Sequence, residues 1–424
     1  MIKILKYGEV KNSEIFARCE EKTDVGGIVA GIIADVRENG DAALYKYCEK
    51  FDGAKLSGLA VTEEEIAAAV AGCDPRFMEV LERAAANIRK FHKTQVRSGF
   101  IINDENGIVT GQKIIPLDRV GLYVPGGTAA YPSTVLMDAI PAKIAGCPEL
   151  VMTTPPMADG SVNPAILAAA YVAGVDRIFK VGGAQAVAAL AYGTESIPAV
   201  DKIVGPGNAF VAEGKRQVFG KVSIDMIAGP SEILIVADGS CNPRYVAADL
   251  LSQAEHDKRA SAVLVTDSEE LAYAVRDELE RQIESLLRRD IARASVDNNG
   301  KIIVCDDIKK AIEISNELAP EHLELCVDNP FDLLDGVRHA GSVFMGKNCP
   351  EALGDYMAGP SHVLPTSGTA RFFSPLLVDS FLKKTSLISY RRDALEAIHE
   401  DIIRFAECEG LTAHANSIRV RFDK

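Results

Sequence analysis

From about residue 115 onward, short apolar runs of strand length alternate with alanine-rich segments of helical length. The runs E-L-V-M-T-T at 149–154 and R-I-F-K-V-G-G at 177–183 flank the segment N-P-A-I-L-A-A-A-Y-V-A-G at 163–174. That segment has Asn163 at a cap position, Pro164 at the first helical position and Gly174 at its end. Because parallel strands need a long crossover connection, this alternation predicts a parallel sheet covered by helices.

A weak internal repeat extends the same pattern. The run S-E-I-L-I-V-A-D at 231–238 is followed by N-P-R-Y-V-A-A-D-L-L-S-Q-A-E-H at 242–256 and by A-V-L-V-T-D at 262–267. The order of strand, Asn-Pro cap, helix and strand is that of residues 149–183, which predicts two related α/β domains. The N-terminal hundred residues of the chain are predicted to be mostly helical, with a turn at N-G-D (39–41) and a capping box formed by Thr62 and Glu65.

Composition and charge exclude several classes of function. The chain of 424 residues is too long for one ordinary core, so two or more domains are expected. The net charge of −14 argues against partners such as nucleic acid or anionic lipid, since both bind basic surfaces. The first residues carry charge throughout, and the longest apolar stretch, at 165–175, is about half a membrane span, so we expect a cytoplasmic protein. The scattered cysteines, with no Cys-x-x-Cys pair, favour reduced thiols.

Four of the seven histidines lie near carboxylates in unusual local sequences. They are His256 after Glu255, His322 after Glu321, His362 seven residues after Asp355, and His414 five residues after Glu409. Together, such groups could form a metal site with a general acid–base pair beside it. Taken singly, each histidine is equally well explained as a satisfied polar residue, and no His-Glu-x-x-His cluster is present.

The stretch L-L-S-Q-A-E-H-D at 250–257 leaves a similar choice open. Gln253 and His256 are three residues apart and would share one face of a helix. Glutamine is a rare metal ligand, so residue chemistry alone does not decide between an ordinary polar face and a site. The loops V-P-G-G-T, V-G-G-A-Q and V-G-P-G-N are either anion-binding helix starts or plain tight turns, since none is G-x-G-x-x-G.

Eight separated segments between residues 120 and 414 carry a specific resemblance. In chain order they are G-L-Y-V-P-G-G, V-G-G-A-Q-A, V-G-P-G-N, I-D-M-I-A-G-P-S-E, L-L-S-Q-A-E-H-D, P-E-H-L-E-L, P-E-A-L-G-D-Y with H-V-L-P-T, and E-G-L-T-A-H. Together they resemble the histidinol dehydrogenase family. The resemblance implies oxidation of L-histidinol to L-histidine by two NAD⁺ through histidinal, the final step of L-histidine biosynthesis, with one Zn²⁺ in each active site. The alternative is a related zinc- and NAD-dependent dehydrogenase that acts on another amino alcohol.

The resemblance also implies roles for individual residues of this chain. The implied zinc ligands are Gln253, His256, Asp355 and, from the partner subunit of a homodimer, His414. Glu321 and His322 match the catalytic acid–base pair. The implied substrate contacts are Ser231, Gln253, His256, His322, Asp355, His362, Glu409 and His414, with Glu351 as a further candidate. Tyr123, Gln185 and Asn208 match positions that contact NAD.

The implied fold is α/β, with two incomplete Rossmann-like domains from an apparent internal duplication, small N-terminal and C-terminal helical segments, and an intertwined homodimer whose active site is shared between subunits. We expect a small N-terminal segment over 1–20, a first α/β domain over 21–117 and 232–370, a second Rossmann-like domain over 118–231, and a C-terminal dimerisation segment over 371–424. In the last segment the pattern predicts a helix ending at Gly410, a loop that holds His414 and a short strand.

Overall fold

A computed structural model of the chain describes residues 1–18, 24–104, 106–126 and 130–423. These residues form two compact units, one of residues 1–95 and 117–381 and one of residues 96–116 and 382–424. Cys19, the expected domain edge after residue 20 and Gly127, the last glycine of the V-P-G-G loop, lie outside the described residues.

Fourteen strands are present in the described residues. They are β1 (Lys3–Lys6), β2 (Phe100–Asn103), β3 (Ile108–Pro116), β4 (Arg119–Tyr123), β5 (Glu149–Thr154), β6 (Arg177–Lys180), β7 (Lys202–Val204), β8 (Ser223–Ile224), β9 (Glu232–Ala237), β10 (Ser261–Thr266), β11 (Lys301–Val304), β12 (His322–Cys326), β13 (Ser342–Met345) and β14 (Leu382–Tyr390).

The helices cover most of the remaining described chain. They are α1 (Asn12–Ile15), α2 (Gly26–Tyr47), α3 (Glu63–Gly72), α4 (Pro75–Lys93), α5 (Pro132–Ala145), α6 (Pro164–Ala173), α7 (Gly183–Tyr192), α8 (Ala209–Val218), α9 (Pro243–Ala254), α10 (Glu269–Ile283), α11 (Arg289–Asn299), α12 (Ile308–Leu318), α13 (Phe331–Leu334), α14 (Glu351–Tyr356), α15 (Arg392–Glu396), α16 (His399–Cys408) and α17 (Thr412–Arg419). A π-helical turn (Cys48–Asp52) extends α2, and short 3₁₀ turns occupy Thr369–Arg371 and Val378–Phe381.

The first unit contains two parallel sheets with the same strand order. The five-stranded sheet runs β6-β5-β4-β7-β8, and the six-stranded sheet runs β1-β11-β10-β9-β12-β13. In each, three consecutive strands extend to one side and the next two are added on the other. The strand order therefore reverses between β4 and β7 and between β9 and β12. The prediction of parallel strands with crossover helices is confirmed.

Side chains of alternate residues in the strands pack against helices on opposite faces of each sheet. In the five-stranded sheet, Leu122 and Met152 face the core formed with α4, α5 and α6. Val151 faces the core formed with α2, α7 and α8. In the six-stranded sheet, Ile233 packs with α9, α10 and α11, and Leu234 packs with α12. No helix in the described ranges is long and apolar enough to cross a bilayer.

Local sequence signals set the starts and ends of several helices as predicted. The Asn163 side chain accepts from the Ala165 N–H at the start of α6. Thr62 and Glu65 form the expected reciprocal capping box of α3. The turn expected at residues 39–41 is present as a break inside α2, where Gly40 has a φ of +51° that glycine adopts at little cost.

The N-terminal hundred residues are mostly helical as predicted, and Lys3–Lys6 forms a strand that extends the six-stranded sheet beside β11. One local prediction was wrong. Near the other end, His414 lies inside α17 rather than in a loop, and the residues after Arg419 form a turn rather than a strand. A short polar–apolar alternation forms a strand only where it can pair with the edge of a sheet. The segment T-A-H-A-N-S-I-R forms a helix instead, because helical hydrogen bonds are made within the segment itself.

The second unit contains an antiparallel sheet of order β14-β3-β2, followed by α15, α16 and α17. Several of its large apolar side chains are exposed in this chain: Phe100, Ile101, Ile102, Leu387, Ile388, Phe405 and Val420. Ile101 lies on β2 and Ile388 on β14, the two edge strands of this sheet, and they are 69% and 77% exposed. Apolar exposure of this extent is typical of a surface that binds another protein.

Candidate active site

One cavity of the first unit brings together most of the residues that the sequence singled out. Its volume is about 350 Å³. The predicted site residues in its wall are Ser231, Gln253, His256, Glu321, His322, Asp355, His362 and Asn208. We call it the His322 cavity.

The His322 cavity lies between opposite edges of the two sheets. Ser231 and His322 stand at the amino ends of β9 and β12, the strands that flank the reversal in the six-stranded sheet. The facing wall consists of the loops that follow β7 and β8 at the carboxyl edge of the five-stranded sheet, including Gly205 and Asp225. Ligands of open α/β sheets usually bind at carboxyl edges, so the use of an amino edge by β9 and β12 departs from that rule.

The main chain of Glu232 holds both candidate catalytic side chains. Its N–H donates to Glu321 Oε2 at 2.9 Å, and its carbonyl oxygen accepts from His322 Nδ1 at 3.0 Å. The second bond places the imidazole proton on Nδ1, which leaves Nε2 as the basic nitrogen. Glu232 was not singled out from the sequence, although it follows Ser231 directly in the motif I-A-G-P-S-E.

Burial shifts the pKa values of His322 and Glu321 in opposite directions. It lowers the pKa of His322 to about 4, against the attraction of Asp355, so the imidazole is neutral at pH 7. It raises the pKa of Glu321 well above the usual range, and the charges of Glu232, Asp355 and Glu351 add to the effect. The cavity therefore holds a neutral imidazole beside a carboxyl group whose protonated form is favoured by burial.

The end of α9 presents Gln253 and His256 to the same cavity. The helix ends at Ala254, so His256 lies just beyond it, and its N–H donates to the Gln253 carbonyl oxygen at 3.1 Å. Gln253 and His256 therefore lie on one side as predicted, although His256 is in a turn that follows the helix rather than in the helix itself. Gln253 is 1% exposed, and its side-chain oxygen has no hydrogen-bond partner within the described residues. A buried amide oxygen without a partner is costly unless a ligand binds it.

Asp355 on α14 is the third of the predicted zinc ligands that line this cavity. Its Oδ1 lies 3.4 Å from His362 Nδ1, and His362 Nε2 lies 3.3 Å from Thr134 Oγ1. Burial would raise the pKa of Asp355, but the hydrogen bond and charge of His362 hold it below its usual value. Atoms of His322, Glu351 and Asp355 that can bind a metal lie within 4.8 Å of one another, so Glu351, the further candidate, adjoins this cluster.

Glu351 is a buried carboxyl group beside Asp355. It is 2% exposed and accepts from Ser252 Oγ at 3.0 Å. Burial and the neighbouring Asp355 charge raise its pKa to about 8. Its second oxygen, Oε1, has no hydrogen-bond partner within the described residues and lies 3.8 Å from His322 Nε2.

A second cavity, of about 640 Å³, lies at the carboxyl ends of β4, β5, β6 and β7. Tyr123, Gln185 and Asn208, the predicted NAD contacts, all line it, and Asn208 also lines the His322 cavity. The start of α7 faces it, and the Gly183 N–H donates to the Tyr123 hydroxyl at 3.1 Å. The strand order reverses here, between β4 and β7, which is where dinucleotides bind in doubly wound sheets. We call it the Tyr123 cavity.

A buried ion pair fixes the loop between the two cavities. Lys215 and Asp225 are in contact, with side chains 2% and 1% exposed. Lys215 Nζ donates to the Gly205 carbonyl oxygen at 3.0 Å, and Asp225 Oδ2 accepts from the Gly205 N–H at 2.8 Å. Gly205 has a φ of +113°, and a Cβ there would meet the Tyr123 carbonyl oxygen at 2.1 Å. No sequence signal identified this pair, because its partners are linked only through the fold.

The remaining two predicted site residues, Glu409 and His414, belong to the second unit. Glu409 ends α16 and His414 lies in α17, and both side chains are exposed in this chain.

Comparison with known proteins gives matches over nearly the whole chain. The sequence model of the histidinol dehydrogenase family matches residues 17–422 of this chain. Histidinol dehydrogenase of Clostridium acetobutylicum is 54% identical over 427 residues, covering 100% of this chain and 99% of the relative. That of Geobacillus kaustophilus is 57% identical over 396 residues, covering 93% of each. The crystal structure of histidinol dehydrogenase from Elizabethkingia anophelis has a TM-score of 0.94 at 39% identity, covering 99% of this chain and 98% of that one.

Replacement of Lys215 by methionine should destabilise the chain by about 3–5 kcal/mol, because it leaves Asp225 buried without a counter-charge. The neighbouring variant Arg216→Met removes an exposed ion pair with Glu213 and should change the free energy of unfolding by less than about 1 kcal/mol. Urea unfolding of both variants and of the parent chain measures the difference. Equal losses in the two variants would contradict the bracing role of Lys215.

Proposed function

The chain belongs to the histidinol dehydrogenase family, and from this premise we propose that it oxidises L-histidinol to L-histidine in two NAD-dependent steps, at the end of L-histidine biosynthesis. The observation that carries the proposal is the His322 cavity, where a neutral imidazole base, a carboxyl group and a set of metal-binding side chains line one space. The Tyr123 cavity adjoins it through Asn208, which supports hydride transfer between two bound molecules.

The metal-binding side chains fit a zinc ion. Gln253, His256 and Asp355 offer amide oxygen, imidazole nitrogen and carboxylate oxygen, and the unpartnered oxygen of Gln253 supports a cation beside it. We assign the fourth position to His414 of a second copy. A zinc ion held there would bind the imidazole and amine nitrogens of histidinol and orient its carbinol carbon. The cluster of His322, Glu351 and Asp355 is the less suitable set, because it would occupy the proposed base.

His322 is the proposed base for the alcohol proton. Its Nδ1–H is held by the Glu232 carbonyl oxygen, so Nε2 is the nitrogen that accepts the proton as hydride leaves the carbinol carbon. NAD bound in the Tyr123 cavity would take up that hydride.

Glu321 is the proposed base that activates water to add to histidinal. Because burial raises its pKa, its carboxylate is a strong base once ionised. The carbon-bound hydrogen of the resulting gem-diol then leaves as hydride to a second NAD⁺, while His322, which has released the first proton to solvent, accepts a hydroxyl proton. In this scheme Ser231 and His362, which both line the cavity, contact the substrate, with Glu351 beside His322 and Asp355 as a further contact.

We also propose that the chain acts as an intertwined homodimer with shared active sites. The exposed apolar side chains of the second unit, Ile101, Ile388 and Phe405 among them, support burial against another copy. Glu409 and His414 lie exposed on the same unit, so both are accessible to a partner's cavity. The order of five strands that the two parallel sheets share, with β1 added only to the six-stranded sheet, supports duplication of one α/β unit.

The central experiment measures NADH formed from L-histidinol, with and without removal of metal by a chelator. We expect two NADH per histidinol, loss of turnover on chelation and recovery when Zn²⁺ is restored. Another amino alcohol that is oxidised much faster than histidinol would favour the alternative substrate. Turnover of histidinol without NAD would contradict the proposal.

Replacement of His322 by asparagine should lower kcat by about 10²–10⁴-fold, because a positioned base contributes that much. Zinc content, measured by elemental analysis, should remain that of the parent enzyme, since His322 is not a proposed ligand. Near-normal turnover, or loss of zinc together with activity, would contradict the assigned role.

Mixing two inactive variants tests the shared site. His256→Ala and His414→Ala proteins, exchanged into heterodimers, should regain activity up to one intact site per heterodimer, because one chain still supplies His256 and the other His414. Differently tagged chains allow the heterodimer to be isolated before the assay. Isolated heterodimers without activity would exclude ligands from both chains.

A further inference from the structure

The wall of the Tyr123 cavity contains a carboxylate to which neither the motifs nor the proposed mechanism gives a role. Asp52 is the last residue of the π-helical turn that extends α2, and Gly53, with a φ of +68°, ends the helix there. Among the described residues that line the cavity, Asp52 is the only one with a charged side chain. The others are apolar, glycine or neutral polar residues, such as Gln185 and Asn208.

One oxygen of the Asp52 carboxylate is buried without a partner that would explain its position among the described residues. This oxygen is Oδ2. A buried acceptor without a donor destabilises the folded chain, and burial accordingly raises the pKa of Asp52 to about 6. A ligand that donates hydrogen bonds would remove this cost.

The position of Asp52 along the cavity indicates which part of a dinucleotide it meets. Asn208 lines both cavities, whereas Asp52 and its neighbour Phe51 line only the Tyr123 cavity. In the proposed reaction the nicotinamide must reach the His322 cavity, so it lies at the Asn208 end. Because Phe51 and Asp52 line the Tyr123 cavity but not the His322 cavity, we place the adenosine half of the dinucleotide beside them.

We propose that the Asp52 carboxylate accepts hydrogen bonds from the hydroxyls of the adenosine ribose and thereby selects NAD over NADP. A carboxylate is the usual acceptor for the 2′-hydroxyl in dinucleotide-binding folds, although there it follows a later strand rather than a helix end. A 2′-phosphate would place its negative charge against Asp52, and no lysine or arginine among the described lining residues offsets it. This inference rests on the proposed function, because it requires a dinucleotide in the Tyr123 cavity.

Direct binding of NADH and NADPH tests the inference without turnover. The chain has no tryptophan, so the fluorescence of the reduced cofactors can be titrated with little interference from the protein. We expect Asp52→Ala to weaken NADH binding by about 10–100-fold, the range for a lost hydrogen bond to a charged group. The isosteric Asp52→Asn should lower the preference for NADH over NADPH by at least about tenfold, because it removes the charge.

Glu49→Gln is the matched control. Glu49 lies three residues before Asp52, is exposed and pairs with Lys55, so its replacement changes the net charge equally without touching the cavity. It should leave both affinities unchanged. Because Asp52 Oδ2 has no hydrogen-bond partner in the described part of the chain, neither Asp52 variant should lower the melting temperature.

The outcomes separate this inference from the proposed function. A parent protein that binds NADH, with Asp52 variants that keep its affinity and its preference, overturns the role of Asp52 alone. Equal effects of Glu49→Gln and Asp52→Asn overturn it as well, since they would reflect net charge. A parent protein that binds neither reduced cofactor overturns the proposed function and this inference together.

Discussion

The register of β9 against β12 is the constraint on which the candidate active site depends. In that register Glu232, at the start of β9, offers its N–H to Glu321 and its carbonyl oxygen to His322. Because side chains alternate along a strand, a slip of one residue would turn His322 to the other face of the sheet and break both bonds. The buried runs on both strands oppose such a slip, since Leu323 and Leu325 pack in one core with Leu234.

The two parallel sheets share a strand order but contribute to function in different ways. The five-stranded sheet offers its carboxyl edge, where helix starts and glycine loops suit a dinucleotide. The six-stranded sheet offers its amino edge, and the end of α9 supplies Gln253 and His256 there. Opposite edges can face one cavity because the loop after β8, at the carboxyl edge of one sheet, leads the chain directly into the amino end of β9 in the other. The ion pair of Lys215 and Asp225 holds the loop after β7.

Local signals made much of the fold predictable. Asn-Pro caps, a capping box and apolar runs identified the alternating elements, because each depends on neighbouring residues only. Resemblance rather than residue chemistry identified Gln253, since glutamine rarely binds metals and its unpartnered oxygen is evident only in the fold. Glu232 and Asp225 could not be found in this way, because Glu232 acts through its main chain and Asp225 acts through a distant lysine. The prediction of a loop at His414 followed by a strand was wrong, because the residues after Gly410 form the helix α17 instead.

The carboxyl edge of the six-stranded sheet differs from that of the five-stranded sheet, because a pair of cysteine side chains lies there. At the reversal between β9 and β12, the buried sulfur atoms of Cys241 and Cys326 lie 3.2 Å apart, where the five-stranded sheet has its cavity. In the proposed reaction, each of the two oxidation steps therefore uses an NAD⁺ bound in the Tyr123 cavity. The first NADH must depart and a fresh NAD⁺ must enter while histidinal is still bound. The lifetime of the half-oxidised substrate on the enzyme must therefore exceed the time for cofactor exchange, so retention of the aldehyde is a kinetic requirement imposed by the architecture.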